Sequence, residues 1–348
     1  MEKTEGYHAI YQKKQFKMIT FGLTIAFISA ALNITFQNFN VAATSAVSGT
    51  LEDTVLATFF MSIMTLGMSE FLGGVITIIW NTIRGIPLAE IGRNWHVKSG
   101  RMIIVSAIAA GPIGTGCSVV AISLCGSTYA NCIIAMAPIV TAIISLFMLK
   151  EKISARAWVG VVISIVGAVV ACSGAPEDAP NFMLGIAIAC VCPVAFALEG
   201  TFSAHGVDVT DPMLSCPMYR LIASGLIQAA VALVLAFATG HASWIGSLFN
   251  AITSSPLCMG MILATGITMF LQYNMAYCSF NYCGAAKSEA ILWTGAVWSI
   301  PVGFIMQAAG VLPYSVTTFG IIGAVIVGIG IVIVVAKPSE LFSIRSEE

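Results

Sequence analysis

Charged residues are nearly excluded from ten long stretches of this chain, and that exclusion limits its fold more than any motif does. Apolar runs of about 20 residues, the length that crosses a hydrocarbon core, recur from end to end. Charged residues make up 9% of the 348-residue sequence and hydrophobic ones 58%, against about 25% charged in soluble domains. The mean hydropathy is +0.95. A soluble core has no use for so much apolar surface, so the bilayer is the solvent. Lipid offers no hydrogen bonds to the backbone, which makes each span a helix.

The runs place spans at about 18–46, 55–80, 102–123, 128–149 and 156–173, then about 183–204, 216–238, 256–279, 285–309 and 315–336. A short interfacial helix is expected around Trp244–Phe249. Residues 1–17 and 337–348 are polar tails, and the polar run Met1–Lys17 leads into a stretch too long for a cleaved signal. Lys and Arg collect on the cytoplasmic side of a membrane. With the amino terminus inside, the inner segments hold Lys3, Lys13, Lys14 and Lys17; Arg84, Arg93, Lys98 and Arg101; Lys150, Lys152 and Arg156; and Lys337 and Arg345. The outer loops carry Glu52, Asp53, Glu177 and Asp178 and no cation, while Arg220 and Lys287 fall at inner helix ends. The expectation is a multi-pass protein of the cell membrane with both termini cytoplasmic.

Five spans precede the acidic loop Ala175–Pro180 and five follow it, so the second half enters from the opposite side. That gives an all-α integral membrane fold of ten transmembrane helices as two inverted five-helix repeats, over 18–173 and 183–336, a plan common in secondary transporters. Leu32-Asn33-Ile34-Thr35-Phe36 echoes Leu198-Glu199-Gly200-Thr201-Phe202. Ala110-Gly111 with Ala121 echoes Thr265-Gly266 with Ala276 at equal spacing.

Ala137-Pro138-Ile139-Val140, Leu149-Lys150-Glu151-Lys152-Ile153-Ser154 and the later Gly160 and Gly167 together resemble the end of an EamA domain. A second copy over about 266–330 departs from the pattern, with Gly310-Val311-Leu312-Pro313 where the Glu-containing turn would stand. The resemblance is to the EamA family of the drug/metabolite transporter superfamily. It implies ten helices, a central cavity, alternating access, and export or exchange of small metabolites.

Polar groups at membrane depth are costly unless partnered, and they face the bundle interior. Asn33 and Gln37 share one helical face with Asn40 beyond, and the repeat sets Glu199 near Asn33. Glu199 and Arg220 lie on consecutive spans; they either lock two helices together or form an ion pair opened by a substrate carboxylate, which the planar guanidinium suits. Glu289 precedes Trp293 by one turn, a carboxylate beside an aromatic ring that could hold an amine, or form a snorkelling pair with Lys287. Gln272 and Asn274 break the eighth span and cannot share a face. These eight residues (Asn33, Gln37, Glu199, Arg220, Gln272, Asn274, Glu289 and Trp293) are the substrate-binding candidates. Glu70 and Glu289 are the candidates for proton coupling. Ala110-Gly111-Pro112-Ile113-Gly114-Thr115-Gly116 invites a kink or close helix packing.

Other classes lack their signatures. There is no Gly-x-x-x-x-Gly-Lys-Ser/Thr loop for nucleotide, and none of His8, His96, His205 and His241 sits mid-span to ligate a metal or haem. No cofactor, metal or catalytic residue is expected. The ten cysteines lie mostly in apolar runs and read as small packing residues. The expected partners are a small-molecule substrate and membrane lipid, not nucleic acid, since the net charge is −1; a homodimer stays open. The leading function is secondary transport of an amino-acid-like or amphipathic solute by export or exchange. The alternative is an intramembrane enzyme acting on a lipid or isoprenoid, but the polar groups are scattered rather than gathered as an acid/base set.

Overall fold

The computed structural model describes residues 2–52, 54–86, 92, 96–148, 155–174, 181–207, 216–283, 288 and 291–335. These are helical throughout, with no strand among the described residues. The helices are α1 (Glu2–Ser45), α2 (Val55–Ile83), α3 (Lys98–Ile108), α4 (Gly116–Cys125), α5 (Ser127–Ile134), α6 (Ala137–Met148) and α7 (Ala155–Cys172). They continue as α8 (Phe182–Ala189), α9 (Cys192–Val207), α10 (Cys216–Ala238), α11 (Ser243–Ser254), α12 (Pro256–Cys283), α13 (Gly295–Ala308) and α14 (Thr318–Val335).

Seven described helical stretches are long and apolar enough to cross a membrane: Phe16–Thr50, Val55–Ile83, Ile103–Cys125, Ala155–Cys172, Phe182–Glu199, Pro217–Ala238 and Pro256–Ser279. Three shorter apolar helices, Ser127–Thr141, Gly295–Ala308 and Thr318–Val334, fall within the fourth, ninth and tenth expected spans. Phe21, Trp158, Val169, Phe237 and Ile305 are exposed on the outside of the bundle, as apolar side chains facing lipid should be. The chain is a multi-pass membrane protein.

Several expected spans are interrupted. α1 starts at Glu2 rather than near residue 18, because a polar stretch without proline propagates a helix as readily as an apolar one. The third span runs from α3 through a π-helical segment, Ala109–Thr115, into α4. Pro112 has no N–H to donate and crowds the preceding turn, and the wider π turn absorbs both faults. A π-helical segment stands where a kink or close packing was expected, and the close packing is present. The fourth span breaks at Ala135 and Met136, ahead of Pro138, and the sixth at Cys190 and Val191, ahead of Pro193. Around the expected interfacial segment, α11 buries Trp244 against Phe60, ring centres 5.7 Å apart.

The helices pair in a regular way. α1 lies along α12, α2 along α10 and α12, and α7 along α14. α9 packs on α3 and the π segment, α8 on α4, and α13 on both α1 and α5. Association in lipid depends on close backbone approach, because lipid tails are as apolar as the helices. Glycines supply it. A Cβ at Gly160 would stand 2.8 Å from the Gly330 carbonyl, and one at Gly167 2.7 Å from the Val327 nitrogen, so α7 and α14 meet backbone to backbone. Gly73 and Gly266 do the same for α2 and α12.

Candidate functional site: a buried arginine between two carboxylates

Arg220, Ser224 and Gln228 recur every four residues on α10, on one helical face. That face meets Glu70, midway along α2. The Glu70 and Arg220 side chains are both fully buried. Arg220 Nη1 donates to Glu70 Oε1 at 3.3 Å. Gln228 Nε2 donates to Glu70 Oε2 at 2.8 Å, and the Ser224 hydroxyl donates to the same oxygen. Both oxygens of this carboxylate are therefore held by one helix face.

The other edges of the guanidinium are also used. Nε donates to Glu199 Oε1 on α9 at 2.8 Å, and Nη2 donates to Thr115 Oγ1 at 3.0 Å. The Tyr273 ring on α12 lies 5.0 Å from the guanidinium carbon, within cation–π range. Thr115 closes the π segment and donates its hydroxyl to the Ala110 carbonyl at 2.9 Å, leaving its lone pairs toward the arginine. Gly111 lets α10 come this close: a Cβ there would lie 2.7 Å from the Cβ of Ser224. Glu199 differs from the rest of the group, with a side chain 17% exposed.

A second polar group lies around the break in the fourth span. Gln37 Nε2 donates to Asn33 Oδ1 at 2.9 Å, so the two amides share a face as their spacing predicts. Asn131 Nδ2 donates to Gln37 Oε1 at 3.2 Å and to the Ser127 carbonyl at 2.8 Å. Asn33 and Glu199, expected as neighbours, thus bond to different partners: Asn33 to α1's own Gln37, Glu199 to Arg220. The charged carboxylate is drawn to the guanidinium, and the neutral amides pair with each other. Between α1 and α12, Ser29 Oγ donates to the Gln272 carbonyl at 3.0 Å, and Gln272 Nε2 donates back to Ser29 at 3.4 Å. Asn274 donates to the Phe270 carbonyl on its own helix at 2.7 Å. As expected, these two do not act on one face. Trp293 is half-buried and packs on Phe196, ring centres 5.4 Å apart. Lys287 and Glu289 lie outside the described residues. An apolar groove lined by Phe27, Thr294, Val297, Trp298 and Ile329 holds none of the charged candidates.

At one end of the bundle a set of hydroxyls ties α5 to the segment before α14. Thr128 and Tyr314 share a hydrogen bond of 2.6 Å, and Ser299 donates to Thr128 at 2.9 Å. The Thr317 backbone N–H donates to the Tyr129 hydroxyl at 2.9 Å.

The residues missed in the sequence reading are Thr115, Ser224 and Gln228, together with the stacking role of Tyr273. The four-residue spacing of Arg220, Ser224 and Gln228 is visible in the sequence. Hydroxyls and amides are common in helices, however, and only Glu70 on the facing helix gives that spacing a meaning. Among the described residues no three His, Cys, Asp or Glu side chains gather as metal ligands.

Comparison with known proteins agrees with a transport fold in the first half. A family model described as EamA-like transporter family matches residues 16–173. No curated protein matches the chain. A solved structure titled only "Crystal structure of protein" is 17% identical, covers 87% of this chain and 97% of its own, and aligns with a TM-score of 0.48. The EamA family is a family of membrane transporters of small solutes, part of the drug/metabolite transporter superfamily. Over residues 16–173, a little under half of its length, this chain is similar to the EamA-like transporter family.

Proposed function

We propose that the protein is a ten-span secondary transporter whose two inverted five-helix halves carry a small solute across the cell membrane by alternating access. The observation that carries this reading is the arginine network at the seam between the halves. Glu70 and Thr115 come from the first half; Glu199, Arg220 and Tyr273 come from the second. An intramembrane ion pair marks a substrate or ion path by default, and at a seam it can differ between two arrangements of the halves.

Helix packing supports the inverted repeat. Exchange each span of the first half with its counterpart in the second. The pairing of α1 with α12 becomes that of the sixth span, α8–α9, with the third, and both pairings occur. The pairing of α2 with α12 becomes that of α10 with α3, and both occur. The pairs α2 with α10 and α7 with α14 map onto themselves. A twofold-related pair of halves has this property.

In this reading the amides Asn33 and Gln37 and the half-buried Phe196, Trp293 and Tyr273 complete the site beside Arg220. Charge next to aromatic surface suits an amino-acid-like or other amphipathic organic solute. Both termini face the cytoplasm, so the hydroxyl set around Tyr129 and Tyr314 closes the outer end, and the carrier works as an exporter or exchanger. The test is flux in liposomes. Arg220→Ala should reduce substrate flux severely and Glu199→Gln should alter it, and unchanged flux in both would remove the arginine from the transport path.

A further inference from the structure

The two carboxylates on Arg220 are held very differently. Glu70 receives donors on both oxygens from three residues of α10 and is fully buried. Its departure would take an acceptor from all three donors at once. Among the described residues, Glu199 is held through one oxygen, by one bond from Nε, and its side chain is partly exposed. It is the carboxylate that can leave.

Charge then sets a condition on what replaces it. One arginine and two glutamates sum to −1. A ligand carboxylate added to Arg220 makes the group −2, in a surrounding where an unpaired charge is costly. Among the described residues, the groups facing Glu199 from the helices packed on α9 give no relief. Arg220, Glu70 and Tyr273 are already engaged with one another. On α3, Lys98 and Arg101 are exposed near its start. α6, α8 and the π segment carry no titratable residue. α5 offers Tyr129, bonded at Thr317, and the buried Cys132. On α9 itself stand Cys192 and, further along, His205.

We propose that Glu199 is the exchangeable counter-ion of Arg220: a ligand carboxylate takes its place on the guanidinium, and Glu199 is released only with a positive charge of its own. That charge is one proton when the ligand is a bare carboxylate, and the ligand's ammonium when it is a zwitterion. In either case the loaded site keeps the −1 of the empty one. Glu199 thereby couples transport to protons for one class of ligand and not for the other. This inference rests on the proposed transport function and assigns the coupling to Glu199 rather than to Glu70, whose oxygens are fully engaged.

Three probes with one side chain separate the cases: phenylalanine, 3-phenylpropionate and phenethylamine, each with purified protein in liposomes. The expected result is 3-phenylpropionate flux that carries one proton per molecule and ignores membrane potential, phenylalanine flux that carries none, and no flux of phenethylamine. Glu199→Gln should make 3-phenylpropionate flux independent of the pH gradient and lower the preference for phenylalanine over it by about tenfold or more. Should Glu199→Gln not fold, proton stoichiometry of the wild-type flux in excess of that into protein-free liposomes decides alone. Flux of 3-phenylpropionate without a proton, or a Glu199→Gln variant with wild-type proton coupling, overturns this inference and leaves the transport reading standing. If none of the three probes moves, the carboxylate-binding reading of the site falls, and this inference with it.

Discussion

Glu70 and Arg220 meet at 3.3 Å, 150 residues apart in sequence, with neither side chain exposed. A buried pair of this kind is poor evidence of net stabilisation, but removing one partner strands the other in a medium that cannot solvate it. Glu70→Ala should destabilise the detergent-solubilised protein by about 3–5 kcal/mol. A double variant, Glu70→Gln with Arg220→Gln, should recover much of that loss, because neutral amides leave no stranded charge. Thermal unfolding in one detergent measures both, and equal losses in the single and double variants would show that the pair is not coupled.

Gly111 bears on the same site through shape alone. A methyl group at this position would press on the Cβ of Ser224, 2.7 Å away, and drive α10 off the π segment. Gly111→Ala should cost about 1–3 kcal/mol by overpacking and should reduce flux even if the protein stays folded. Ser224→Gly in the same chain removes the obstructing atom and should restore part of the stability, read from the same unfolding curves.

Tyr314 tests the proposed outer closure. Tyr314→Phe removes a hydrogen bond to Thr128 and leaves the ring packed on Phe304, 5.2 Å away. A neutral hydrogen bond contributes about 1 kcal/mol, a shift of roughly fivefold in the balance of open and closed states. The measurement is labelling of a cysteine placed at Thr317 by a membrane-impermeant maleimide. The Phe variant should label several-fold faster than the parent, and an equal rate would show that this bond does not hold the end closed.

The contact of α7 with α14 should carry stability and not substrate selection. Gly167 faces the backbone of Val327 at a distance that leaves no room for a side chain. Gly167→Leu should separate the two helices and lower the unfolding temperature by several degrees, as expected for a loss of about 1–3 kcal/mol. Once folded, the variant should keep the wild-type ranking of substrates, because none of the polar groups around Arg220 lies on either helix. A changed ranking in competition assays would place this contact within the selectivity machinery.

Much of the fold was legible in the sequence because its cause is local. Hydrophobic length makes a span wherever it occurs, and Pro138 and Pro193 stand just after the breaks they produce. Asn33 and Gln37 were paired correctly, since a four-residue spacing puts two side chains together on any helix. The bond between Glu199 and Arg220 was also anticipated, from two opposite charges on consecutive spans.

What the sequence could not determine was which helix lies against which. Glu70 was visible as a carboxylate at membrane depth, but its partners sit on a helix that begins far along the chain. Asn33 and Glu199 were expected near each other through an echo in the sequence, but the partners each one bonds, Gln37 and Arg220, come from the packing. Spans that are apolar all round carry no stripe to say which way they turn, so only packing orients them. In lipid that packing depends on glycine contacts such as Gly73 with Gly266 and Gly111 with Ser224, and on buried hydrogen bonds that have nowhere else to go. Hydropathy, which acts residue by residue, was enough to read the membrane and the helices. The site around Arg220 exists only in the tertiary structure, where four helices and a π turn bring single polar atoms within bonding distance.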